Sequence, residues 1–190
     1  MEKECKQRDS DIIRVVLYGP ESTGKTTLSK QLASYYHTNW VPEYMRTFLE
    51  NKAFIPGEEI VSYEELDSIA KGQMKVENAS LNTADTLLFC DTNLLELQVY
   101  AEHYFGESPE AISKYALKNK YDLYILTYVD VPWEADGMRD RPEDREKMFA
   151  MFEQKLIENK LPYITVKGNE QERLEFAVSY IDKLLLALTV

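Results

Sequence analysis

At 190 residues the chain has the length of one domain with a substantial core. Its 44% hydrophobic and 29% charged content is that of a globular protein, and no apolar run reaches the roughly 20 residues that span a bilayer. A formal net charge of −11 repels nucleic acid and anionic membrane over most of the surface, so any polyanion site must gather its positive charge locally.

In chain order, residues 1–11 are charged and lack the apolar core of a signal peptide. Cys5 and Cys90 lie far apart with no metal-type spacing, which favours reduced thiols and a cytoplasmic home. An apolar, β-branched run at 12–18 predicts a strand, ended by Gly19-Pro20. A helix follows, with Leu28, Leu32 and Tyr36 on one stripe. Trp40-Val41 predicts a short strand stopped by Pro42. Residues 58–80 predict one or two helices, and 86–90 a buried strand ending in Asp91. Helices are predicted over 94–105 and 109–118. A strand at 123–129 ends in Asp130. Pro142 suits the first turn of a helix whose stripe runs through Phe149, Phe152 and Leu156. A last strand at 163–166 precedes a closing helix with Leu174, Val178, Ile181, Leu185 and Leu188 on its buried face. Strands alternating with helices predict an α/β protein, a three-layer doubly wound fold around a five-stranded parallel sheet.

Gly19-Pro20-Glu21-Ser22-Thr23-Gly24-Lys25-Thr26 matches the phosphate-loop pattern G-x-x-x-x-G-K-[ST] without a gap. It sits between a predicted strand and a predicted helix, as the chemistry requires. Gly19 and Gly24 let the backbone curl so that N–H groups from Glu21, Ser22 and Thr23 face inward around an anion. The helix start at Lys25, Thr26 and Thr27 adds unpaired N–H groups and a positive dipole end. Lys25 suits the β and γ phosphates of ATP, and the Thr26 hydroxyl suits Mg²⁺.

Asn119-Lys120-Tyr121-Asp122 spells a guanine-reading pattern, but it precedes a strand and should lie at the sheet edge opposite the phosphate loop. It reads as a solvated helix end. Asp91 ends a strand beside the loop and suits Mg²⁺, with Asp130 as its rival and helix capping as the plainer role. Glu43 follows a short strand and suits a general base for an attacking hydroxyl, with Asp91 as the alternative. The segment 132–146 carries Trp133, Arg139, Arg141 and Arg145 and reads as a mobile lid closing on phosphate, or as a charged helix start. Trp40 and Trp133 flank the expected cleft and suit either ring stacking or core burial.

The motifs at 19–26, Trp-Val-Pro-Glu-Tyr-Met-Arg at 40–46, Phe-Cys-Asp-Thr-Asn at 89–93 and Pro-Trp-Glu-Ala-Asp-Gly-Met-Arg at 132–139 together resemble the ribosylnicotinamide kinase domain of NadR-type proteins. The resemblance covers nearly the whole chain and implies a single P-loop kinase domain over 1–190. It implies transfer of the γ-phosphoryl group of ATP to the 5′-hydroxyl of nicotinamide riboside. On this resemblance Lys25, Thr26 and Asp91 serve MgATP. Trp40, Glu43, Tyr44, Arg46, Asp91, Asn93 and Trp133 border the riboside, and Arg139 and Arg145 close from the lid. The family's Trp-Glu-Tyr is here Pro42-Glu43-Tyr44, with Trp40 further back. A kinase for another nucleoside or small metabolite is the alternative among enzymes, a nucleotide-sensing module that binds ATP without transfer is the alternative from another class, and the oligomeric state stays open.

Overall fold

The computed structural model describes residues 2–53, 60–132 and 144–188. Five strands form one parallel sheet: β1 (Ile13–Tyr18), β2 (Asn39–Val41), β3 (Leu87–Asp91), β4 (Leu123–Thr127) and β5 (Tyr163–Val166). Their order is β2-β3-β1-β4-β5, so β1 is central, with Val15 opposite Phe89 on one side and opposite Leu123 on the other. Seven α-helices among the described residues cover the sheet: α1 (Lys25–Tyr35), α2 (Tyr44–Glu50), α3 (Leu66–Ser80), α4 (Leu94–Phe105), α5 (Glu110–Lys118), α6 (Arg145–Glu158) and α7 (Glu170–Leu188). This is the doubly wound arrangement the alternation predicts.

The period-two alternation of strands divides the core. Val15 and Leu17 face α1 and α7 in a cluster with Leu28, Leu32, Phe89, Ile125 and Ile181. Val16 and Tyr18 face the other way, with Tyr124 of β4, against Met74, Leu95, Ile112 and Phe152 from α3 to α6. The same alternation sorts β2: Val41 joins the second cluster, whereas Trp40 packs on the first with Lys30 over its ring.

Helix ends are locally encoded. Asn93 caps α4, its Oδ1 accepting from the Leu95 and Glu96 amides at 3.1 Å each, and Gly106 ends the same helix in the left-handed region at φ 79°. The closing helix keeps most of the expected stripe, with Ile181 buried and Leu174, Val178 and Leu185 packed on the first cluster. Arg173 and Ala177 are buried beside it, whereas Leu188 is exposed at the helix end.

The segment 119–122 does lie at the amino edge of the sheet, where the Asp122 amide bonds the Arg14 carbonyl. It is not a solvated helix end. Asn119 and Tyr121 are buried, and they dock an N-terminal arm. The Asn119 carboxamide accepts from the Gln7 amide and donates to the Cys5 carbonyl, both at 3.0 Å. Gln7 and Tyr121 donate to the buried Glu77 carboxylate at 2.8 and 2.7 Å, and Arg14 stands 3.7 Å from it. Among the described residues, no helix is long and apolar enough to cross a membrane.

Candidate active site

The loop between β1 and α1 curls through three positive-φ residues, Gly19 (137°), Ser22 (57°) and Gly24 (82°). A side chain at Gly19 would meet the Thr127 hydroxyl at 2.9 Å, so the close approach of the loop to β4 requires glycine there. Thr23 holds the curl, with its hydroxyl 2.7 Å from the Pro20 carbonyl and 2.6 Å from the Thr127 hydroxyl. The Glu21 amide donates to the Tyr100 hydroxyl at 2.8 Å.

Beside this loop opens a cavity of about 1130 Å³. Glu21 to Thr27 line its floor, Glu43 and Arg46 one wall, and Asn169, Glu170 and Arg173 the end near β5. Its other arm, between α2 and α4, is apolar, formed by Met45, Leu49, Val61, Leu66, Leu97 and Phe105. A charged cleft floor joined to an apolar recess suits a ligand with a phosphate end and a ring end.

Lys25 is buried. Its Nζ donates to the Gly19 carbonyl at 2.7 Å and the Pro20 carbonyl at 2.9 Å, and lies 3.2 Å from the Glu96 carboxylate. The Thr26 hydroxyl donates to Asp91 Oδ2 at 2.5 Å. Asp91 ends β3 fully within the protein, and burial together with the negative charge of Glu43 pushes its carboxyl up to about 6. Burial, then the nearby Glu43 and Asp91 charges, raise Glu96 to about 8 against the opposing pull of Lys25. Glu43 immediately precedes α2 and accepts from Arg46 Nε at 3.1 Å.

Asp91 Oδ1 is buried without a protein partner, next to the Thr26 hydroxyl. An orphaned carboxylate oxygen beside a hydroxyl fits Mg²⁺, which takes few protein ligands and keeps phosphate and water oxygens. Among the described residues, no group of three or more His, Cys, Asp or Glu side chains gathers to hold a metal alone. Asp130, the rival, is committed elsewhere: it accepts from the Gly168 amide at 2.7 Å and pairs with Arg173.

Several expected riboside contacts fall outside the cleft. Trp40 faces the α1 side because β2 alternates, and it does not line the cavity. Asn93 is held as the cap of α4, with its amide nitrogen 3.3 Å from the Tyr124 hydroxyl. Tyr44 lays its ring over Gly72 of α3, and its amide donates to Gln73 at 2.7 Å. Trp133, Arg139 and most of the expected lid lie outside the described residues. Arg145 begins α6, and its guanidinium donates to the Val131 carbonyl at 2.9 Å and the Ser22 carbonyl at 3.1 Å, directly at the phosphate loop.

Two charged residues at the site escaped the motif reading. Glu96 reaches Lys25 from the first turn of α4. Arg173, 3% exposed, bonds the Thr23, Gly168 and Tyr128 carbonyls. Each is a charge on the buried stripe of its helix, Glu96 with Val99 and Arg173 with Ala177 and Ile181, and that periodicity was the available signal.

The chain is 28% identical over 161 residues to the trifunctional NAD biosynthesis/regulator protein NadR of Escherichia coli K12, covering 83% of this chain and 39% of that protein. The Salmonella typhimurium NadR is 29% identical over 156 residues, 80% of this chain and 38% of that protein. The chain therefore spans about two fifths of the length of these curated relatives. The crystal structure of NadR protein in complex with NR superposes with a TM-score of 0.77 at 21% identity, over 91% of this chain and 51% of that one. A deoxyadenosine kinase from M. mycoides superposes at 0.64 and 12% identity, over 90% of this chain and all of that one. The fold is thus that of P-loop kinases, and residues 14–173 match a family described as AAA domain. The chain belongs to that AAA domain family, AAA_28, and is homologous to NadR.

Proposed function

We propose that this chain is a kinase that transfers the γ-phosphoryl group of ATP to the 5′-hydroxyl of nicotinamide riboside. One observation carries the reading: an intact phosphate loop and the carboxylate of Glu43 line the same cleft, which continues into an apolar recess. The homology to NadR, and the solved NadR protein in complex with NR, favour the riboside as the ring-bearing acceptor.

In this reading the loop amides and Lys25 hold the phosphates, and Lys25 exchanges its loop carbonyls for phosphate oxygens. Thr26 and Asp91 would hold Mg²⁺, which when bound would neutralise charge on the phosphate oxygens. Glu43 accepts the proton of the attacking hydroxyl as the new O–P bond forms and the bond to the departing ADP breaks. Arg46, bonded to Glu43, fixes the carboxylate in place. Arg145, bonded to the Ser22 carbonyl, is the guanidinium this reading assigns to the transferring group. The apolar arm takes the ring and excludes water from the acceptor hydroxyl.

The likeness to deoxyadenosine kinase supports a second reading, a kinase for another nucleoside. Both are tested by ADP release from MgATP across a nucleoside panel, with mass spectrometry of the product. Turnover dependent on nicotinamide riboside with a monophosphate product is expected. Turnover with a different nucleoside alone refutes the substrate assignment, and nucleotide binding without turnover on any acceptor refutes the kinase reading in favour of a nucleotide sensor.

A further inference from the structure

The ammonium of Lys25 has three N–H donors, and three protein oxygens already surround it. Two are the neutral carbonyls of Gly19 and Pro20, at 2.7 and 2.9 Å. The third is the Glu96 carboxylate at 3.2 Å. Glu96 is 3% exposed, and its second oxygen lies 3.4 Å from the Gly19 amide, so it grips the loop and its lysine together. The cap of α4 sets this geometry, because Asn93 holds the Glu96 amide at 3.1 Å and fixes where the side chain starts. Phosphate-loop chemistry asks this lysine to bind anions, yet the fold supplies it with a carboxyl partner of its own, which is an anion above about pH 8.

We propose that Glu96 is a positioning residue that parks Lys25 against the empty loop and competes with incoming phosphates for it, lowering nucleotide affinity. The inference rests on the reading of the cleft as a nucleotide site. Phosphate oxygens that reach Lys25 must displace a buried carboxylate that already holds the same ammonium, and little water is there to screen the pair that is broken. The groups facing Glu96 sharpen the competition. Among the described residues, Lys25 from α1 is the cation paired with it, while Glu43 before α2 and Asp91 at the end of β3 add negative charge. Tyr18 from β1 and Tyr100, one turn along α4, are the neutral neighbours. A carboxylate in this position lets the loop release product phosphates, since it recaptures the lysine as the anion leaves.

The test is calorimetric binding of MgADP and of inorganic tripolyphosphate at pH 8.5, above the value of about 8 at which Glu96 loses its proton. Wild type, Glu96→Gln, Glu96→Ala, Lys25→Ala and the double variant Lys25→Ala/Glu96→Gln are compared, each checked for folding by thermal unfolding. Glu96→Gln is expected to bind both probes about tenfold more tightly, the scale of one charge-assisted hydrogen bond. Glu96→Ala should shift binding in the same direction if the glutamine variant fails to fold. In the Lys25→Ala background the same substitution should change binding less than twofold, because the effect passes through the lysine. Unchanged or weaker binding by folded Glu96→Gln overturns the proposal, as does a gain that persists without Lys25. Failure of wild type to bind either probe is a separate result that removes the nucleotide reading itself.

Discussion

Arg173 offers the sharpest test of how the site is held. Its guanidinium, 3% exposed, donates to the Gly168 carbonyl at 2.9 Å, the Thr23 carbonyl at 2.5 Å and the Tyr128 carbonyl at 3.0 Å, and pairs with Asp130. One side chain on α7 thereby fastens the phosphate loop to the ends of β4 and β5. Arg173→Met keeps most of the apolar stem and removes every donor. Three carbonyls then lose this partner, and Asp130 keeps its bond from the Gly168 amide. The Thr23 bond is buried and those to Gly168 and Tyr128 are part-buried, so each unmatched carbonyl costs on the order of 1 kcal/mol. Asp130 is partly exposed and regains some hydration, so the buried-pair cost is discounted for it. The sum is about 4 kcal/mol, which in a chain of this size lowers the melting temperature by roughly 8–16 °C. Urea unfolding followed by far-ultraviolet circular dichroism measures the loss, and Arg173→Lys, which restores only part of the fan of donors, should fall between. A loss below about 1 kcal/mol for Arg173→Met would show that the clasp is replaceable by water and that the reasoning is wrong.

Other expectations concern the chemistry and its support. Glu43→Gln should lower kcat by about 10²–10⁴-fold while moving the acceptor KM only a few-fold, since in the proposed mechanism it removes the base but keeps a side chain of the same shape. Steady-state kinetics would contradict the assignment if kcat held. Gly72→Ala would place a methyl carbon 1.9 Å from the Tyr44 ring, so it should cost about 1–3 kcal/mol and displace α2, raising the acceptor KM through Glu43 and Arg46. An unchanged melting temperature would show that Tyr44 swings away freely. Glu96 binds its proton more tightly folded than unfolded, so wild-type stability should fall as pH rises from near its ordinary 4.5 through about 8. Glu96→Gln should flatten that decline, and parallel stability profiles for the two proteins would contradict it.

Much of the architecture was legible because each strand is a short apolar run and each helix has its own punctuation. Asn93 and Gly106 bracket α4 where the sequence predicts it. The phosphate loop was legible for a stronger reason: its residue types are dictated by backbone geometry, and Gly19 has no room for a side chain. What stayed hidden was tertiary. Trp40 was expected at the cleft on proximity in sequence, but a strand's alternation sends neighbours to opposite faces, and the face is decided by which neighbour joins which core. Asn93 and Tyr44 stand beside cleft residues in the chain and yet serve a helix cap and a helix contact. Arg173 lies about 150 residues from the loop it holds, a separation across which a single sequence carries no pairing signal.

The N-terminal arm has a consequence for the order in which this protein assembles. Gln7 meets Glu77, Asn119 and Lys120, and Arg8 meets Asn78 and Asn82, so seating the arm closes loops of 70 to 113 residues. Closing such loops is entropically unfavourable until α3 and α5 already stand against the sheet. The arm is therefore a latch that engages after the sheet exists, and the buried carboxylate of Glu77 waits for it in a half-built pocket. Chains caught between those two moments would carry a formed nucleotide cleft at one edge of the sheet and an open seam at the other.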